Sequence, residues 1–153
     1  MSYIDRNLLP DEQILFRTKK HLIIFFYPLI LTIFAIYAQQ YMHDNFILAR
    51  VEWVPAIIIL IYWSFTLLEY ATSEFVVTNR RIMMREGFFI RHSTELRINS
   101  ISQMNVDQNL IGQMLDYGTV SLNAFGAYDA FYLIAHPIAF QKCANEQLDK
   151  LAR

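Results

Sequence analysis

Two long apolar segments without Asp, Glu, Lys or Arg stand close together in the first half of this chain, at Leu22–Ala38 and Trp53–Leu68. A helix needs about 20 residues to cross roughly 30 Å of hydrocarbon. The first segment is long enough, because the uncharged stretch spans His21–His43. The second covers roughly 24 Å at about 1.5 Å per residue, and Tyr70–Ala71 can extend it. We therefore predict a hairpin of two membrane-spanning helices.

Two other interpretations of these segments fit less well. Buried core helices of a soluble protein usually carry a polar stripe at helical spacing, whereas only Thr32, Ser64 and Thr66 interrupt the apolar surface here. A cleaved signal peptide has an apolar region of about 7–15 residues behind a short basic start. Here a longer segment containing Leu9–Glu12 comes before the first apolar segment.

The basic residues predict the orientation of the hairpin. Cytoplasmic flanks of membrane helices carry an excess of Lys and Arg. In the connecting segment Gln39–Glu52, Arg50 is the single Lys or Arg residue. We therefore expect a multi-pass membrane protein with both termini in the cytoplasm and the short connecting loop outside. The flanking basic residues are Arg6, Arg17, Lys19 and Lys20 before the first segment and Arg80, Arg81 and Arg85 after the second.

The segments divide the chain into five parts. We predict a cytoplasmic N-terminal segment with a strand at residues 1–20, membrane helices at 21–43 and 53–71, an external loop at 44–52, and a cytoplasmic domain at 72–153. That domain has eight basic and eight acidic residues. Such a balance provides no electrostatic attraction for nucleic acid, so nucleic acid is not an expected partner.

The cytoplasmic domain shows a period of two in several short pieces, which is typical of antiparallel strands with one solvated face. Leu96 and Ile98 are expected to face inward, as are Met104 and Val106 in a later strand. The period becomes helical at Asn109–Tyr117. Further expected elements are strands near 12–18, 74–78, 119–123 and 130–135, a turn at Glu86–Gly87, and a final helix from Pro137 with an apolar stripe at Phe140, Cys143–Ala144, Leu148 and Leu151.

Several short motifs in the same order resemble the bacterial pleckstrin-homology (PH)-like domain of small membrane proteins that have two membrane helices. They are Leu9–Glu12, Thr78–Arg81, Gly87, Gln108–Gly112 and Tyr117–Val120. The sequence departs from the pattern at Gln113 and Asp116, where Arg and Gly are expected. The resemblance implies an α+β chain: a transmembrane hairpin plus a bent antiparallel sheet, or partial barrel, capped by a C-terminal helix. It also implies no catalysis, an association with homo-oligomers and a location in the bacterial inner (cytoplasmic) membrane.

The sequence contains no pattern that indicates an enzyme, so we predict none, with no catalytic residue, cofactor or metal. No Gly-x-Ser-x-Gly elbow, Gly-rich phosphate loop or His-x-x-x-His spacing is present. A single cysteine, Cys143, precludes an intrachain disulfide. We expect it to be a small core residue of the final helix.

Positive charge near the inner surface of the membrane is the remaining electrostatic feature. A basic residue there contributes roughly 1 kcal/mol to contact with an anionic leaflet. These charges can simply determine topology or can form a face that contacts headgroups. The candidate contacts are Lys19, Lys20, Arg80, Arg81 and Arg85.

Three functions remain open at this stage. The first is an assembly or scaffolding module that self-associates, since Phe88, Phe89 and Phe131 can exceed the needs of one small core. The second is a module that binds anionic lipid headgroups. The third is an accessory subunit of a transport or export system, with a second membrane protein as partner. Membrane lipids and a second copy of the chain are the expected partners.

Overall fold

The computed structural model describes Ile4 and residues 7–44, 48–87, 92–124 and 127–151. These residues form two compact units. One unit combines Met1–His21 with Thr72–Arg153, and the other is Leu22–Ala71. The N-terminal segment thus belongs to the same unit as the C-terminal half, although the apolar helices separate them in sequence.

The apolar unit contains two long helices. A 3-10 turn at Leu22–Phe25 leads into α1 (Phe26–Asp44), a second 3-10 turn covers Leu48–Val51, and α2 follows at Val54–Thr72. The helical stretches Leu22–Asp44 and Val54–Thr72 are long and apolar enough to cross a membrane. Both are almost entirely exposed in the isolated chain, unlike core helices of a soluble protein.

Three hydroxyl groups within the two helices have backbone partners inside the same helix. The hydroxyls of Thr32, Ser64 and Thr66 donate to the carbonyl four residues earlier, at 2.7, 2.8 and 3.0 Å. Such bonds allow a hydroxyl to lie in an apolar medium. Pro28 lies in the first turn of α1, a part of a helix in which proline is tolerated.

The other unit contains two antiparallel sheets, which confirms the predicted α+β class. The first has the order β1-β2-β3-β4 and the second β5-β6-β7. A short helix, α3 (Leu110–Leu115), precedes β6, and α4 (Pro137–Leu151) ends the described chain. The strands are β1 Ile14–Thr18, β2 Glu74–Thr78, β3 Arg81–Glu86, β4 His92–Arg97, β5 Ile101–Asp107, β6 Tyr117–Ala124 and β7 Ala127–Ala135.

One hydrophobic core joins the sheets to α4. Phe75 and Phe131 meet edge to face at 5.9 Å between ring centroids, and Phe140 of α4 meets Phe16 of β1 at 6.2 Å. The predicted inward residues of the alternating pieces belong to this core or pack against it, as do Cys143 and Leu148 of α4. The core comprises Phe75, Val77, Ile82, Met84, Ile98, Ile101, Val120, Leu122, Phe131, Ile134, Phe140 and Ala144, with Leu96, Met104 and Val106 packed against it.

The exposure expected of Phe131 is wrong, because its side chain is only 2% exposed. Phe88 and Phe89 lie outside the described residues. The apolar surplus that we expected at these three positions therefore has no support from Phe131.

The segment after β1 joins the two sheets. Lys20 forms an isolated bridge with Ile134 of β7. The Thr18 hydroxyl donates to the Ala135 carbonyl at 2.7 Å, and the Ala135 amide donates to the Lys19 carbonyl at 3.0 Å. These contacts cover the C-terminal end of the β7 edge, which shortens the open part of that sheet edge.

Candidate functional site

The N-terminal segment Leu9–Gln13, here named the clasp, is held against the turn that follows β2. Asn79 donates through Nδ2 to the Asp11 carbonyl at 3.2 Å, and its Oδ1 accepts from the Gln13 amide at 3.1 Å. The Asn79 amide donates to the Gln13 carbonyl at 3.2 Å. The side chain and the backbone amide of Asn79 therefore attach the clasp to the turn that follows β2.

A buried ion pair lies at the centre of the clasp. Arg81 donates to both carboxylate oxygens of Glu12, from Nε to Oε1 and from Nη2 to Oε2, each at 2.9 Å. The Glu12 side chain is 0% exposed and that of Arg81 is 16% exposed. A forked pair of this kind is more directional than a single contact, because the planar guanidinium matches the carboxylate.

Further donors complete the surroundings of the Glu12 carboxylate. Thr78 donates its hydroxyl to Oε1 at 2.7 Å, and the Leu9 amide donates to Oε2 at 2.8 Å. Burial alone raises the pKa of Glu12, but the hydrogen bonds from Arg81, Leu9 and Thr78 and the charge of Arg81 outweigh it. The pKa of Glu12 is therefore lowered, and the carboxylate stays charged at neutral pH.

Arg81 makes two further hydrogen bonds outside the forked pair. Its Nη1 donates to Glu95 Oε2 at 2.6 Å, and its Nη2 donates to the Asn7 carbonyl at 2.7 Å. The hydrogen bond to Glu12 raises the pKa of Arg81, although burial opposes it. Arg81 thus serves the cohesion of its own unit.

The five candidate headgroup contacts differ in exposure. Lys19 and Arg80 are exposed, and Arg85 is half-buried. Lys20 is only 8% exposed, and its Nζ lies 3.3 Å from Glu86 Oε2. With Arg81 committed to the clasp, the structure leaves Lys19 and Arg80 as the accessible members of this set. Whether any of them contacts lipid stays a prediction.

The loop from Gln108 to Gly118 is organised by its polar side chains. Asn109 caps α3 by accepting from the Gly112 amide at 2.7 Å. Gln108 Nε2 donates to the carbonyls of Gly112 at 3.3 Å and Tyr117 at 3.0 Å. A Cβ on Gly112 would lie 2.6 Å from the Tyr117 carbonyl oxygen, so the site requires glycine.

Asp116 occupies the position where the resemblance led us to expect glycine. It ends α3 in the left-handed conformation, at φ 56° and ψ 51°, which is favourable for glycine and tolerable for Asp. Its carboxylate is paired with His136, the residue before α4. The His136 carbonyl accepts from the Phe140 amide at 3.1 Å, so His136 lies at the start of α4.

The four large apolar side chains of α3 point away from the core. Leu110 is 80% exposed and Met114 is 86% exposed, and Ile111 and Leu115 are exposed as well. The sequence correctly predicts a helix here. Its helical spacing did not show that the apolar side chains would face outward.

Metal ligands do not cluster in the described part of the chain: no three His, Cys, Asp or Glu residues there could hold a metal ion together. His21 stacks on Tyr117 with ring centroids 5.3 Å apart, and His43 is hydrogen-bonded to Glu52 at 2.7 Å. The described histidine side chains thus have aromatic or carboxylate neighbours.

Three comparisons relate this chain to known proteins. A family model described as "Bacterial PH domain" matches residues 22–147. A comparison with curated proteins finds no match. Among solved structures, the chain is similar to a DUF1696 family protein with a pleckstrin-homology domain from Shewanella loihica PV-4, at 14% identity and a TM-score of 0.41, over 50% of this chain and 70% of the other.

Proposed function

Because the chain belongs to the bacterial PH domain family, we propose that it is a non-enzymatic, membrane-anchored assembly module that self-associates. The helices α1 and α2 anchor it in the bacterial inner membrane, with both termini in the cytoplasm. The two uncharged, exposed helices support the anchor, and the basic residues that flank them support the orientation.

A groove along the apolar hairpin is the observation that carries self-association. It has a volume of about 510 Å³ and runs between α1 and α2. Small side chains lie along it, at Ala35, Ala56 and Ser64. Helices in a bilayer associate through close packing at small residues, because lipid supplies no hydrophobic driving force between them. We therefore expect the groove to bind a helix from a second copy of this chain.

The hairpin has contacts that hold this groove in shape. Trp63 Nε1 donates to Thr32 Oγ1 at 3.0 Å, joining the two helices. The Phe25 ring stacks on Trp63 at 5.7 Å and meets Tyr70 at 5.4 Å between centroids. A hairpin braced in this way presents one surface to a partner, which lowers the entropic cost of association.

Native mass spectrometry of the full chain in lipid nanodiscs tests the proposal. We expect dimers or larger oligomers for the natural sequence and a shift to monomer for Ala35→Leu, which fills the groove. Ala38→Leu is the matched control, since Ala38 lies on the same helix and does not line the groove. A monomer in every sample, or equal effects of both variants, would sink the self-association proposal.

Headgroup binding is the second candidate, and the exposure of Lys19 and Arg80 favours it. Contact with anionic lipid should be strongly weakened by salt, because exposed charges are screened. We expect Lys19→Glu with Arg80→Glu to abolish any extra amide protection that the full chain gains in anionic over neutral nanodiscs. Protection that is identical in both lipids would argue against this candidate.

A further inference from the structure

The helix α3 is an apolar projection on a polar loop. Of its six residues only Gly112 is buried, while Leu110, Ile111, Met114 and Leu115 are 80, 57, 86 and 46% exposed. Large apolar side chains scattered singly on a surface are ordinary, but four on two successive turns form a patch. Such a patch in a small domain indicates a surface that contacts something other than water.

The patch is fixed in place by the loop that carries it. The Gln108 side chain ties Gly112 to Tyr117, and Asn109 caps the first turn. A Cβ on Gly112 would lie 2.6 Å from the Tyr117 carbonyl oxygen and 2.8 Å from Asn109 Oδ1, so this side of the helix is closely packed on the loop. The apolar side chains are therefore held outward by packing on the opposite side of the helix.

The patch adjoins the point where the chain leaves this unit for the first apolar helix. Tyr117, two residues after α3, stacks on His21 at 5.3 Å with an angle of 26° between the rings. His21 immediately precedes the apolar stretch Leu22–Asp44. The His21 amide donates to the Leu133 carbonyl at 2.6 Å. Leu133 itself has a positive φ of 58°. If the helix enters a bilayer at Leu22, His21 lies at the interface, with the Tyr117 ring stacked on it.

We propose that α3 is a membrane foot, in which Leu110, Ile111, Met114 and Leu115 insert into the interfacial layer of the leaflet that the first helix enters. This inference rests on the proposed membrane anchor. Tyr117, two residues after the patch, stacks on His21, which directly precedes the first apolar stretch, and this short path along the chain is the reason for assigning the patch to lipid. Apolar side chains at that level gain by leaving water for the acyl boundary.

The charges around the patch fit apolar insertion better than headgroup attraction. The segment from Asp107 to Tyr117 contains no Lys or Arg. Asp107 is exposed, and Asp116 is paired with His136. Contact through α3 should therefore persist at high salt, unlike contact through Lys19 and Arg80.

Fluorescence quenching by lipid tests the membrane foot in the full chain. Cys143 is replaced by Ser, and one cysteine carrying an environment-sensitive dye is placed at Met114. The protein is reconstituted in phosphatidylcholine–phosphatidylglycerol vesicles that contain lipids with a quencher on the acyl chain. Parallel labels at Ile58 of α2 and at the exposed Glu146 of α4 report the anchor and the solvent-exposed surface. A label at Leu110 provides an independent repeat if the Met114 variant folds poorly.

We expect the dye to lose most of its emission at positions 58, 110 and 114 and little at 146, with no change at high salt. Quenching at 58 without quenching at 110 and 114 would overturn the foot and leave the anchor standing. No quenching at any position would overturn both. A soluble quencher is added in a second measurement, at several ratios of protein to lipid. If position 114 is protected from it at high protein density and loses that protection on dilution in lipid, the patch contacts a second copy of the chain and the foot is overturned.

Discussion

Glu12 and Arg81, 69 positions apart in the chain, form a two-bond ion pair with both distances at 2.9 Å. The apolar helices lie between them in sequence. The pair therefore holds the N-terminal segment on the sheet that follows the hairpin in sequence. Removing either partner leaves a charge of low exposure without its counterpart, which is costly in a protein interior.

Replacing the buried carboxylate should destabilise the sheet unit. We expect Glu12→Gln to lower the free energy of unfolding by about 3 kcal/mol, the usual cost of breaking a buried pair. Glu95→Gln is the matched control, since its more exposed carboxylate binds the same guanidinium and should cost less than about 1 kcal/mol. Hydrogen exchange of the β2 and β3 amides in the full chain measures both. Equal losses would contradict the central role of Glu12.

Acid should weaken the same unit through Glu12. A carboxyl group whose pKa is lower in the folded state contributes stability that is complete above the unfolded pKa. That stability is lost as the pH falls through the lowered folded pKa. Urea unfolding at stepwise lower pH should therefore show a steeper loss for the natural sequence than for Glu12→Gln. Parallel pH dependence of the two proteins would show that Glu12 is not the responsible group.

Asn79 should control attachment of the clasp. Asn79→Ala removes two side-chain hydrogen bonds, each worth about 1 kcal/mol, and retains the backbone bond to Gln13. We expect faster hydrogen exchange at residues 9–13 in this variant. Arg80→Ala is the control, because the neighbouring Arg80 is exposed and should leave that exchange unchanged. A clasp that stays equally protected in both variants would refute the assignment.

Asp116 should tolerate glycine better than a branched residue. Its φ of 56° disfavours a β-branched side chain by roughly 1–2 kcal/mol. We expect Asp116→Val to unfold more readily, while Asp116→Gly stays within about 1 kcal/mol of the natural protein, because relief at φ offsets the lost pair with His136. Asp116→Asn keeps the favourable conformation and removes the charge. If Asn proves as damaging as Val, the ion pair rather than the backbone decides.

The alternating pieces of the sequence predicted much of the sheet unit. Met104 and Val106, like Val120 and Leu122, belong to the core or pack against it as their period of two indicates. The prediction succeeds because apolar and polar residues alternate along a strand that has one buried and one solvated face. The final helix was predicted from its apolar stripe at helical spacing, and Phe140 and Ala144 of that stripe are fully buried.

The clasp could not be predicted in this way. Leu9–Glu12 and Thr78–Arg81 were noted as separate motifs, but periodicity carries no information about contacts across 69 positions. Counting charge likewise treated Lys20 and Arg81 as surface cations, because composition does not reveal the carboxylates that they meet. The orientation of α3 was missed since helical spacing defines a face without saying which way it points.

The most direct test of the membrane anchor is labelling with a membrane-impermeant thiol reagent in intact bacterial spheroplasts. Single cysteines at Arg50, in the segment between the helices, and at Glu146, in α4, are compared in a Cys143→Ser background. We expect position 50 to be labelled in intact spheroplasts and position 146 only after lysis. Labelling of position 146 before lysis, or recovery of the protein in the soluble fraction, would contradict it.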